Sequence, residues 1–196
     1  MADDPDKKCA QLVDEIAARA LAAVEEAPDR LTLDTDLVRD YWQDFPRRWA
    51  IERLLELAEA GEVDLAVTRY IRADIPDAPL RDRLDELPEL KVRETGGLFT
   101  FGVSRLDGPD VFGDAAMLSF ENAIAATWKP SKGKPPDSRD WKHLHTHYAL
   151  GRVRFLTWDR GLLELGELLE PIFRLGVVRP DDYLRERGEK APTDSK

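Results

Sequence analysis

The stretch 151-GRVRFLTWDR-160 constrains this chain more than any other. Val153, Phe155 and Thr157 alternate with Arg152, Arg154 and Leu156 in a β-branched, aromatic run; this is the period of a short strand, and it stops at Asp159. Just ahead of it, 139-RDWKHLHTHYAL-150 carries Leu144, Tyr148 and Ala149 at helical spacing, with Asp140 in the first turn, where a negative charge suits the helix dipole. A helix that feeds a parallel strand starts at the carboxyl edge of the sheet and runs back along it, and the strand then returns to that same edge. Asp140 and Asp159 are therefore expected to be neighbours in space.

The rest of the chain repeats this alternation. Residues 1–8 read as a frayed, charged terminus. Residues 9–26 read as a helix, with Leu12, Ile16, Ala20 and Val24 every four residues and Pro28 beyond its end. Two readings of that helix stay open: packing on the domain, or contact with a partner chain. Leu31 and Leu33 alternate with Thr32, and Leu37, Val38 and Tyr41 then resume at helical spacing, so a strand turns into a helix around Asp34, Thr35 and Asp36. Taken alone, Asp34 or Thr35 is an ordinary helix cap. Pro46 opens a further helix that Gly61 closes. Val63, Leu65 and Val67 form a strand, Thr68 is a natural N-cap, and Asp74 sits in the short helix that Pro76 ends. Residues 79–90 read as another helix.

Residues 95–138 break the rhythm and read as an insertion. Gly96, Gly97, Gly102, Gly108 and Gly113 punctuate its aromatic-bearing first part, 114-DAAMLSFENAIAATW-128 is helical, and 129-KPSKGKPPDSR-139 is a basic loop ending on Asp140. Lys129, Lys132, Lys134, Arg139 and Lys142 form the densest basic run in the chain. It reads either as a solvated loop or, beside the acids, as a phosphate-contacting one. Leu162 to Phe173 form an apolar helix expected to end or kink near Pro171, Val177 and Val178 a last strand, and residues 181–187 a final helical turn. Residues 188–196 read as disordered. The whole describes an N-terminal segment (1–30), one α/β domain (31–187) with a mainly parallel sheet between helices, and a tail.

Composition narrows the function classes. A hydrophobic share of 42%, a charged share of 35% and the absence of any apolar run near the ~20 residues of a membrane span suit a soluble, non-membrane protein. The start MADDPDKKCA is too polar for a secretory signal, and the single cysteine, Cys9, fits a reducing compartment, so the expected location is the cytoplasm. A net charge of -10 argues against broad, charge-driven nucleic-acid binding but leaves room for a local basic groove. There is no glycine-rich phosphate loop, no metal-binding cysteine pattern and no internal repeat.

Four carboxylates, Asp34, Asp74, Asp140 and Asp159, come from separate elements that the connection rules send to one edge, the edge where open α/β sheets bind ligands. Like charges that close together oppose one another's ionisation unless a cation sits among them. Mg²⁺ or Mn²⁺ suits such an all-oxygen site, and phosphodiester hydrolysis is the chemistry that a cation of this kind supports.

In these residues the chain resembles the PIN-domain ribonucleases, including the VapC-like toxins of toxin-antitoxin pairs. The likeness covers residues 31–184 except the insertion, and rests on LTLDTDLV, LAVTRYIRADI, RDWKHLHTHYALG and VRFLTWDR. The family's first Asp falls on Asp34, its acid six residues after a Ser or Thr on Asp74 counted from Thr68, its helix-opening Asp on Asp140, and its Thr-x-Asp on Thr157 and Asp159. The resemblance implies a three-layer α/β/α sandwich and Mg²⁺-dependent cleavage of RNA, with Thr35, Asp36 and Thr157 supporting the acids. It leaves open an antitoxin protein and a second copy of the chain as partners. Asp74 stands where the family usually has Glu, Asp36 where it often has Asn or Ser, and Trp158 and Gly161 where it is commonly polar or acidic.

His143 and His147, four apart on the Asp140 helix, could grip zinc together, with His145 between them, but they also share the stripe that faces the sheet, and we read them as packed and hydrogen-bonded. Trp42, Trp49, Trp128, Trp141 and Trp158 read mostly as core, with Trp128 and Trp141 flanking the basic loop and able to stack on unpaired bases. The competing function is a PIN-like protein that binds RNA or a partner without turnover. The retention of an acid at all four positions favours the enzyme.

Overall fold

The computed structural model describes residues 27–43, 45–96, 122, 123, 126 and 138–190. The expected N-terminal helix, most of the helix at 114–128, most of the basic loop and the last six residues lie outside these.

Among the described residues five strands form one all-parallel sheet: β1 (Asp29–Leu33), β2 (Val63–Thr68), β3 (Val92–Thr95), β4 (Arg154–Leu156) and β5 (Gly176–Val178), in the spatial order β3-β2-β1-β4-β5. Parallel neighbours need crossovers, and helices supply them: α1 (Thr35–Trp42), α2 (Arg48–Glu59), α3 (Ile71–Asp74), α4 (Ala78–Asp82), α5 (Ser138–Ala149), α6 (Arg160–Phe173) and α7 (Pro180–Glu186). The fold is a three-layer α/β/α sandwich, as expected.

Register and alternation sort the side chains into two cores. On β1, Leu31 and Leu33 face one side with Leu65, Val67, Leu37, Leu54 and Ile71, while Phe155 of β4 faces the other with Leu144, Leu162, Leu165 and Leu169. Phe155 and Leu156 are adjacent, fully buried, and belong to opposite cores, as a strand covered on both faces requires. α6 lies so close to the sheet that a Cβ on Gly166 would overlap the Val177 side chain, standing 2.8 Å from its Cγ2. Gly151, at φ +58, makes the turn from α5 into β4 in a left-handed conformation that other residues seldom adopt.

The structure corrects the sequence-based expectations in several places. β3 is a strand that local patterning does not announce: Val-Arg-Glu-Thr buries only Val92 fully, as an edge strand does, so its alternation is faint. The helix expected over 79–90 is α4 followed by a 3₁₀ turn at Arg83–Glu86 and further turns to Lys91. Thr68 is not a cap but the last residue of β2, and its hydroxyl is used elsewhere. α6 passes through Pro171, which removes only the bond to the Glu167 carbonyl, and closes at Arg174 in a left-handed conformation, φ 52. Of the tail expected from residue 188, Glu189 folds back to accept a hydrogen bond from Arg53 at 2.7 Å.

The amino edge of the sheet is held by charge. Buried Arg152 donates to the carbonyls of Leu31 and Asp64, and Arg30, Arg93 and Arg152 all pair with the Asp64 carboxylate. No helix among the described residues is long and apolar enough to cross a membrane.

Candidate active site

At the opposite, carboxyl edge, Asp34, Thr35, Asp36, Arg39, Asp74, Asp140, Asp159 and Leu162 line one cavity of about 210 Å³. The four acids singled out from the sequence thus meet, with Asp36 as a fifth. Each arrives by the logic of a parallel sheet. Asp34 follows β1, its N–H donates to the Leu156 carbonyl at 3.0 Å, and its Oδ1 caps α1 by accepting from Thr35 N at 2.7 Å. Asp159 follows β4 and caps α6 by accepting from Leu162 N at 2.9 Å. Asp74 ends α3, and Asp140 stands in the first turn of α5. Asp34 and Asp159 are therefore helix caps and candidate site residues at once, so the two readings of Asp34 describe one geometry.

Buried hydroxyls and an imidazole hold the set. The Thr157 hydroxyl donates to Asp34 Oδ2 at 2.6 Å and accepts from Asp159 N at 2.9 Å. Thr35 Oγ1 donates to Asp74 Oδ2 at 3.3 Å. His143, fully buried, bridges Thr68 Oγ1 at 2.7 Å and Asp74 Oδ2 at 2.5 Å. The packed role expected of His143 is what it has, while its position beside Asp74 lies beyond what the helical spacing indicates. His147 is packed likewise, with Nδ1 2.9 Å from Thr32 Oγ1 and its ring edge-on to Phe155, and burial, then Arg152, pull its pKa down to about 3. His145 is also buried on α5.

The electrostatics are those of crowded anions away from water. Burial raises the Asp34 carboxyl against the opposing pull of His143, Thr157 and Thr35, and Asp159 raises it further. Asp36 is pushed up to about 8, by burial first and then by Asp34. Its Oδ2 accepts from Trp158 N at 2.9 Å, whereas its Oδ1 is buried without a hydrogen-bond partner among the described residues. A buried carboxyl oxygen left in that state among further carboxyl groups suits a cation, and carboxylates are the donors that Mg²⁺ or Mn²⁺ takes. Among the described residues no three acidic, histidine or cysteine side chains form a preformed metal-binding group. The cavity has room for several water molecules between the carboxylates.

Of the expected substrate-binding residues, Lys129, Lys132, Lys134 and the side chain of Arg139 lie outside the described residues. Lys142 is exposed on α5, its Nζ 5.8 Å from the Tyr70 ring centre, and does not line the cavity. Arg39 does line it and is absent from the sequence-based set, although its spacing from Thr35 and Asp36 on one helical face is legible. Compared with known proteins, the chain matches no family model, no curated protein and no solved structure.

Proposed function

We propose that this protein is a divalent-cation-dependent endoribonuclease of the PIN type, hydrolysing RNA phosphodiester bonds. The observation that supports this most is the meeting of five carboxylates from α1, α3, α5 and the ends of β1 and β4 around a single cavity. Asp34 and Asp140 would hold Mg²⁺ or Mn²⁺ directly, with Asp74, Asp159 and water completing the shell, since Mg²⁺ tends to keep several of its waters. Such an ion, when bound, stabilises charge on a phosphate oxygen and makes bound water a stronger acid. The chain's own part is positioning: Thr157 and the Thr35 N–H fix both oxygens of Asp34, and His143 with Thr35 fixes Asp74. The cytoplasmic setting and the toxin role in a toxin-antitoxin pair belong to the same reading.

One observation favours the competing, non-catalytic reading: Asp74 Oδ2 already accepts from His143 and Thr35. Cleavage of single-stranded RNA in Mg²⁺, compared with EDTA, separates the two. Asp34→Asn and Asp140→Asn should each abolish cleavage while circular dichroism stays unchanged, and wild-type turnover by either variant would overturn the assignment.

A further inference from the structure

Three arginines stand around the carboxyl edge on three different elements. Arg39 lines the acid cavity from α1 and is exposed. Arg47 precedes α2, and Arg179 leaves the carboxyl end of β5. Both of these are half exposed, and both lie over the ring of Trp158, at 4.7 and 5.3 Å from its centre. Trp158 is tied to the cavity by its own backbone, whose N–H donates to Asp36 Oδ2, and it sits between Thr157 and Asp159. The charges also reach one another's neighbours, because Arg39 and Arg47 both hold down the Asp40 carboxyl that burial raises.

Each arginine has a local explanation as a solvated charge or ion-pair member. Arg47 pairs with Asp40 at 2.9 Å, and Arg179 with Asp181 at 3.0 Å. Those pairs leave most of the five N–H donors of each guanidinium for another ligand. The cation–π contact of two of them with one indole restricts where their guanidiniums sit, which lowers the entropy lost when a phosphate is gripped in the bidentate manner open to arginine and not to lysine. In a chain of net charge -10, this puts one guanidinium in the wall of the acid cavity and two more on the Trp158 ring, whose backbone N–H is bonded to Asp36 of that cavity.

We propose that Arg39, Arg47 and Arg179, the last two carried on the Trp158 ring, form a track that grips successive phosphates of single-stranded RNA beside the acid cavity. The choice of RNA as the polyanion rests on the ribonuclease reading. The contacts are to the backbone, so binding along this track is independent of base identity. Trp158 then serves as a platform for arginines and not for bases.

The test uses full-length protein, a fluorescein-labelled oligouridylate and anisotropy titrations over a series of KCl concentrations, with Ca²⁺ replacing Mg²⁺ to slow turnover. Arg39→Gln and Arg179→Gln should each weaken binding and reduce the slope of log affinity against log salt by about 0.7 per contact removed, with the double variant losing about twice that. Arg39→Lys should restore the slope but only part of the affinity. Arg30→Gln, a charge-matched change at the amino end of β1, should leave the slope unchanged. Wild-type slopes in the cavity-edge variants, an equal loss in Arg30→Gln, or no RNA binding by the wild type would each overturn the track. Thermal unfolding with and without Mg²⁺ separates this from the metal reading. A Mg²⁺ shift with unaltered RNA slopes overturns the track alone, and reduced slopes without a Mg²⁺ shift support the track and overturn the metal site.

Discussion

The Thr157 hydroxyl stands 2.6 Å from Asp34 Oδ2, joining the end of β4 to the end of β1 beneath the cavity. The same hydroxyl oxygen accepts from the Asp159 N–H, so one buried group sets the positions of two of the five acids. Thr157→Val keeps the shape and removes both bonds, leaving a buried carboxylate short of a donor at a cost of about 1–3 kcal/mol. Urea unfolding should report that loss, RNA cleavage should fall with it, and Thr157→Ser should recover most of both. A Val variant as stable and active as wild type would show that Asp34 is held by Thr35 and the backbone alone.

Asp36 places a carboxyl where burial and Asp34 both oppose its ionisation, and one of its oxygens lacks a hydrogen-bond partner among the described residues. Asp36→Asn retains an acceptor for Trp158 N and removes the repulsion. In EDTA the variant should melt higher than wild type by the equivalent of about 1–2 kcal/mol. Mg²⁺ should raise the wild-type melting temperature by linkage and the variant's by less. Scanning fluorimetry of both proteins in EDTA and in Mg²⁺ measures all four values, and a variant that melts lower in EDTA would refute repulsion as the dominant effect.

His147 provides the pH dependence. Its folded pKa is lowered to about 3 by burial first and Arg152 second, while the unfolded chain binds the proton near 6.5. Between those values the unfolded state holds more protons, so the full stability exists above about pH 6.5 and drains as pH falls toward 3. At pH 4.5 the loss from this group should be on the order of 2–3 kcal/mol. Other carboxylates titrate there too, so the measurement is a difference: going from pH 7 to 4.5, wild type should lose more unfolding free energy in urea than His147→Gln. Equal losses would mean that the buried imidazole accepts its proton without opening the fold.

Local patterning in the chain dictates the order of elements and the edge on which their acids end. Period-two runs at 31–33, 63–67 and 153–157, each followed by helical spacing, dictate parallel strands with crossovers, and the common strand direction then sends Asp34, Asp74, Asp140 and Asp159 to the carboxyl edge. That much rests on local patterns written within a few residues of one another. β3 escapes such a reading because an edge strand buries little and so prints little alternation, and Thr68 is ambiguous because a cap and a strand end share the same residue type. The His143 bond to Asp74 spans 69 residues, the Thr157 bond to Asp34 spans 123, and the contact of Arg47 and Arg179 with the Trp158 ring joins three segments far apart in the chain. Such pairings depend on which helix crosses which strand, and at what height. No local period encodes that, because it is set only when both faces of the sheet are packed and the buried hydroxyls, imidazoles and carboxylates must find their partners inside.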